Sequence, residues 1–209
     1  MKSGMIFSVD ATNGASRRLV VQIEVNGPFK GNIVEFRFPR WVPGSYFIRE
    51  PIQHMSDLSA TLDGKEVIAK RIDVDGVRVS GVSEGSKLVI TYRLLAAEMT
   101  CRANHLDSTH VHIMPPYTWM LPTRGIEENR IDGQHIVKLI APKQWHTATQ
   151  LKGEEGSWVA NGRDEFLDAI MESNSNEMIT FDVMGTKQHL KLWDSGGLPI
   201  HEQGLNRLI

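Results

Sequence analysis

The sequence predicts a mainly β protein: an antiparallel, sandwich-like domain with one or two short helices. Three observations carry that expectation. Apolar and polar residues alternate with period two over much of the chain, as they do where one face of a strand is buried. Turn-forming clusters separate these runs at short intervals. No regular strand–helix alternation occurs, which argues against a parallel-sheet domain.

The elements follow in order. Leu19, Val21, Ile23 and Val25 share one face of a strand that Asn26-Gly27-Pro28 stops. Val34, Phe36 and Phe38 form the apolar face of the next. Residues 57–62 and 66–72 read as a hairpin across Asp63-Gly64-Lys65, a strong turn signal. A further turn, Asp73 to Gly76, precedes a strand at 77–80, and Leu88, Ile90, Tyr92 and Leu94 mark a long alternating strand. Residues 110–114 form another, ended by Pro115-Pro116, and strands follow at 135–140 and 157–160. A helix is expected over 163–171, where Phe166, Leu167 and Ile170 fall at helical spacing behind Asp164 and Glu165. Residues 178–184 and 187–193 pair as a hairpin across Gly185-Thr186, and 200–209 reads as the beginning of a helix.

Composition narrows the function. The 209 residues carry 23 Lys plus Arg against 25 Asp plus Glu, a formal charge of −2, and the basic residues are scattered. That pattern argues against a nucleic-acid partner. No window is apolar enough to span a membrane. The single cysteine, Cys101, has no intrachain disulfide partner, so a cytoplasmic location is expected. Arg102 beside it could lower the thiol pKa, but adjacent strand residues point to opposite faces, so Cys101 reads as a buried, inert thiol rather than a nucleophile.

The most distinctive stretch is Trp41-Val42-Pro43-Gly44-Ser45-Tyr46. Pro43 fixes its own φ, Gly44 tolerates positive φ, and two large rings flank them. One reading is a rigid turn pinned onto the core; the sharper one is a binding loop. Arg49-Glu50 and Arg102 are candidates for binding a carboxylate, because the guanidinium fork suits it, or for structural ion pairs. For metal chemistry the candidates are His110 and His112, two apart on one strand face, with His105 and Asp107 nearby. The competing reading places these residues on the solvated face of an edge strand. His201-Glu202-Gln203-Gly204-Leu205 lacks the second histidine of a His-Glu-x-x-His zinc helix.

These residues resemble a known family. Phe38-Pro39-Arg40-Trp41-Val42-Pro43-Gly44-Ser45-Tyr46-Phe47-Ile48-Arg49 is similar to the P-x-W-x-P-G-S-Y-x-x-R signature of the glycyl-aminopeptidase family of zinc metallopeptidases. Weaker likenesses follow in the family's order: Tyr92 to Ala97, Cys101 to Asp107, Trp145 to Leu151, residues 164–172, and Phe181 to Gly185 with His189. The resemblance implies the family's N-terminal β domain, which precedes a thermolysin-like catalytic domain. The expected organisation is a β-rich domain over 1–195 and a stub, 196–209, leading towards that catalytic domain. The expected role is non-catalytic: packing on the catalytic domain and helping to shape its substrate cleft. No catalytic residue and no zinc ligand carries over, so zinc is expected in the catalytic domain and this chain is expected to be inactive alone. The partners implied are that domain and, indirectly, a peptide substrate. Trp41, Pro43, Gly44, Ser45, Tyr46 and Arg49 are the candidate motif or interface residues. The alternative is a stand-alone binding domain without a peptidase partner.

Overall fold

The computed structural model describes residues 4–41, 46–83 and 86–194. In chain order the strands are β1 (Ile6–Asp10), β2 (Arg18–Asn26), β3 (Ile33–Arg37), β4 (Met55–Leu62), β5 (Lys65–Arg71), β6 (Gly76–Ser80), β7 (Lys87–Leu95), β8 (His105–Leu106) and β9 (His110–Ile113). They continue with β10 (Leu121–Arg124), β11 (Gln134–Ile140), β12 (His146–Ala148), β13 (Lys152–Glu154), β14 (Ser157–Asn161), β15 (Met171–Asn174), β16 (Ile179–Val183) and β17 (Thr186–Leu190). Two short α-helices, α1 (Pro115–Thr118) and α2 (Arg163–Asp168), and three 3-10 turns at Gly14–Ser16, Pro51–His54 and Glu128–Arg130 complete the described elements.

The largest sheet runs β10-β3-β6-β5-β4-β7-β2-β1-β11-β14-β13. Its pairs are antiparallel except β1–β11, which is parallel. The sheet curls so that its two halves share one core. Val34 and Phe36 of β3 belong to the same buried cluster as Ile23 of β2 and Ile90 of β7, and Phe38 meets Tyr92 edge to face at 5.9 Å. Period-two burial sets the register: in β2, Leu19, Val21, Ile23 and Val25 are all fully buried, and a one-residue slip would turn each of them to solvent. The expected 57–72 hairpin forms as β4–β5, turning through Asp63 and Gly64 at φ 50° and 80°. Positive φ at both positions matches the twist of the flanking strands, and glycine bears it without a Cβ clash.

A second sheet, β12-β15-β9-β8, has four strands, and β16–β17 form a separate hairpin. Between the sheets, Phe166 of α2 lies 4.3 Å from the Phe7 ring, and Trp119 meets Phe7 edge-on at 5.6 Å. The helix expected over 163–171 stops at Asp168. Ile170 points outward and Met171 already begins β15, because sheet pairing with β9 takes over there. Pro115 and Pro116 do more than end β9: they open α1, where a missing N–H costs nothing. The tail over 200–209 lies outside the described residues.

Candidate functional site

Two polar clusters stand out, and the segment between β7 and α1 contributes to both. The first surrounds the aromatic corner. After β3 the chain is tied down by Phe38, whose N–H donates to Asp75 O at 3.0 Å. Arg37 pairs with Asp73 at 2.8 Å and also with Asp75, and the Arg37 hydrogen bond pulls the Asp73 carboxyl down to about 2. Beyond this anchor the chain leaves the core. Trp41 is 61% exposed and Tyr46 97%, with Phe47 and Ile48 also exposed. The rings are therefore not pinned onto the core. Pro43, Gly44 and Ser45 lie outside the described residues. The excursion closes where Arg49 N–H donates to Arg40 O at 2.8 Å and Arg40 meets Glu50 at 3.7 Å. Buried Pro51 and Ile52 then return the chain to β4.

At the foot of the corner lies a cleft of about 340 Å³ lined by Arg49, Glu98, Thr100, Cys101, Arg102, Ala103 and Tyr117. Arg49 and Arg102, both named from sequence, thus meet in one place. Arg49 lies over the Phe47 ring, 5.7 Å from its centroid. It also sits beside the Tyr117 hydroxyl, whose pKa burial raises and Arg49 partly restores. Glu98 faces His54, 3.4 Å away. Among the described residues no carboxylate lies within ion-pair distance of Arg49 or Arg102. Glu50, by contrast, is spent on Arg40. Cys101 is exposed, not buried, because it sits on a turn between β7 and β8 rather than within a strand.

Tyr117 and Glu98 were not singled out by the sequence reading. Tyr117 is positioned by Asn104, whose Oδ1 accepts from Met114 N–H at 2.8 Å and Thr118 Oγ1 at 2.9 Å, while its Nδ2 donates to Tyr117 O at 3.2 Å. Tyr92 OH donates to Thr118 O at 2.6 Å from below. The sequence signal was Pro115-Pro116, a helix opening that presents the next residue at a fixed angle.

The second cluster is a layer of histidines on one face of the four-stranded sheet. The register sets His112 opposite both His105 and Glu172, and His110 opposite Asn174. β9 is flanked by β15 and β8, and His105 and His110 are buried. This overturns the solvated-edge reading. Glu172 accepts from His112 Nδ1 at 3.0 Å and from His110 Nε2; burial alone would raise its pKa, but these two donors bring it below the ordinary carboxylate value. His105 Nε2 lies 3.2 Å from Asp107, whose pKa is likewise lowered against burial by Thr109 and His105. Trp193 stacks on His110 at 4.1 Å and 17°, and its Nε1 donates to Thr109 Oγ1 at 3.1 Å. His110 and His112 therefore share a carboxylate. Among the described residues no group of three His, Cys, Asp or Glu is arranged to hold a metal ion. The donor set therefore does not fit zinc.

Comparison with known proteins gives this architecture its place. The chain belongs to the peptidase M61 N-terminal domain family, whose model matches residues 7–171. A search of curated proteins finds no match. Among solved structures, an aminopeptidase N family protein from Idiomarina loihiensis superposes with a TM-score of 0.78 at 19% identity, over 88% of this chain and 32% of that one. An M1 zinc metallopeptidase from Deinococcus radiodurans gives 0.53 at 10% identity, over 99% of this chain and 51% of that one. Aminopeptidase A from Legionella pneumophila gives 0.53 at 7% identity, over 85% and 22%. Identities this low speak for a shared fold alone. The chain spans between about a fifth and a half of these larger proteins. Among the described residues no helix is long and apolar enough to cross a membrane.

Proposed function

We propose that this chain is the non-catalytic N-terminal β domain of a cytoplasmic, glycyl-aminopeptidase-like zinc metallopeptidase. It packs on the catalytic domain in cis and helps to shape the substrate cleft, with zinc held in the catalytic domain. Residues 1–195 form the β-rich domain and 196–209 lead towards its partner.

The observation that carries this reading is the aromatic corner. Four large hydrophobic residues close together in the sequence, Trp41, Tyr46, Phe47 and Ile48, are exposed on limbs tied at the base by Arg40 and Arg49. Exposed apolar clusters of this kind mark interaction surfaces, and aromatic side chains supply much of the energy at such surfaces. Family membership supplies the partner's class, and the relatives named above include a zinc metallopeptidase and an aminopeptidase.

The test uses the polypeptide that joins this domain to a zinc peptidase domain. Trp41→Ala and Tyr46→Ala lower kcat/KM for glycyl or alanyl amides by about tenfold or more, the loss expected of an interface anchor worth ~1.4 kcal/mol or more. In the isolated 209-residue chain, where both rings are exposed, the same substitutions move stability by no more than ~0.5 kcal/mol. Unchanged kcat/KM in both variants contradicts the reading, as does peptide hydrolysis by the 209-residue chain alone.

A further inference from the structure

We infer that the cleft between Arg49 and Arg102 is a carboxylate-binding site that takes the free C-terminal carboxylate of a short peptide. The inference rests on the proposed function for the ligand being a peptide; the site itself rests on geometry.

Two guanidinium groups line one cleft, and among the described residues neither has a carboxylate within ion-pair reach. Elsewhere in the described chain arginines near the corner are used: Arg37 pairs with Asp73 and Asp75, Arg40 with Glu50, and Arg78 with Glu35 at 2.7 Å. The contrast is local. Arg49 is also held in place, by the Phe47 ring beneath it and the Tyr117 hydroxyl beside it, so little freedom remains to be lost on binding. A planar guanidinium fork matches a planar carboxylate, and a phenol beside it supplies a further donor. The volume, about 340 Å³, suits a peptide end rather than a folded partner.

Glu98 sets the preference among anions. Its carboxylate also lines the cleft, 3.4 Å from His54, and adds one negative charge to the wall. A monoanion is accommodated opposite it, whereas a phosphate dianion meets stronger repulsion. The cleft opens beside the exposed rings of the corner, so a peptide lying along Phe47 and Ile48 would end at Arg49.

Cys101, the only cysteine of the chain, lines the same cleft and is exposed, so it reports on the site directly. The experiment measures its alkylation in the 209-residue chain. Anionic iodoacetate should be favoured over neutral iodoacetamide, relative to the Arg49→Gln/Arg102→Gln protein, by about fivefold, the gain expected from local anion capture. Triglycine should protect Cys101 from iodoacetamide, and triglycinamide should not. Each single variant should weaken the triglycine protection roughly five- to tenfold, the worth of one charge-assisted hydrogen bond at a half-exposed site. Circular dichroism of the variants should match that of the parent.

Equal protection by triglycine and triglycinamide overturns the proposal, as does protection by neither, which is the result expected if the cleft receives an acidic side chain of the catalytic domain. Inorganic phosphate protecting at lower concentration than triglycine also overturns it, in favour of a general anion site. A corner that proves irrelevant to peptide hydrolysis would sink the proposed function while leaving these alkylation results standing, so the two failures are distinguishable.

Discussion

The aromatic corner and the histidine layer are built by overlapping stretches of chain, yet their charges are used in opposite ways. Residues 101–117 supply Arg102 and Tyr117 to one and His105, Asp107, His110 and His112 to the other. In the layer, Glu172 is matched to two imidazoles and Asp107 to one, the rings of His105 and His110 are buried, and Trp193 stacks on His110. In the cleft at the corner, Arg49 and Arg102 have no carboxylate within ion-pair reach among the described residues, and large rings face solvent. A buried charge left unpaired is costly, so matching Glu172 and Asp107 to imidazoles has a structural purpose, although His105 Nδ1, His110 Nδ1 and His112 Nε2 have no hydrogen-bond partner among the described residues. The corner's unsaturation costs little because water reaches it, which leaves its groups available to a ligand or a neighbouring domain. Titratable residues are abundant in both places; what separates them is whether the carboxylates already face nitrogen partners.

This contrast can be broken from the layer's side first. Glu172→Ala leaves His110 and His112 without their acceptor in a buried site. It should destabilise the chain by ~3 kcal/mol, the scale for removing one member of a buried ion-paired network. Urea unfolding measures it, and a loss within error would show that the layer contributes little to the stability of the fold.

Acid should then reveal the buried groups in sequence. His135 donates to Ile131 O at 2.7 Å between the Phe7 and Phe166 rings, and desolvation lowers its pKa below the ordinary 6.5. The unfolded chain therefore takes up this proton first, and stability falls as pH drops below that value. Glu172 and Asp107, both lowered in the folded state, contribute stability above their ordinary values of 4.5 and 3.8 and lose it as pH falls through their folded ones. Urea midpoints from pH 7.5 to 3.5 should decline in two stages, and His135→Gln should remove the first stage alone.

Trp193→Ala should cost less, ~1 kcal/mol, because the ring is half-buried and its stacking on His110 is one aromatic contact. Faster hydrogen exchange confined to β8 and β9 is the expected signature. Smallest of all, Tyr46→Ala and Trp41→Ala should move stability by no more than ~0.5 kcal/mol, as surface substitutions do. A larger loss would mean that the corner is packed after all.

Much of this architecture was legible in the sequence. Alternation at Leu19 to Val25 and at Leu88 to Leu94 specified β2 and β7 because each strand buries one face only. The strands that were missed are short, and several, β10 and β15 among them, draw their partners from far along the chain. β15, four residues long, exists because β9 and β12 flank it, and nothing local in Met171 to Asn174 requires a strand. At the site, the proline-glycine motif pointed to the corner and to Arg49. Its exposure was not legible, since two aromatic rings beside a turn have the same sequence whether they pack inward or outward. Burial of the histidines was equally hidden, because β9 becomes an inner strand only when β8 and β15 flank it.

The central claim is that the aromatic corner is a surface made to be covered by the peptidase domain beside its substrate. Hydroxyl-radical footprinting of Trp41, Tyr46 and Phe47 tests it most directly, comparing the 209-residue chain with the polypeptide that includes a zinc peptidase domain. Strong protection of the three rings in the longer protein, with Trp193 equally protected in both, is the predicted result. Equal oxidation of Trp41, Tyr46 and Phe47 in the two proteins would contradict the account.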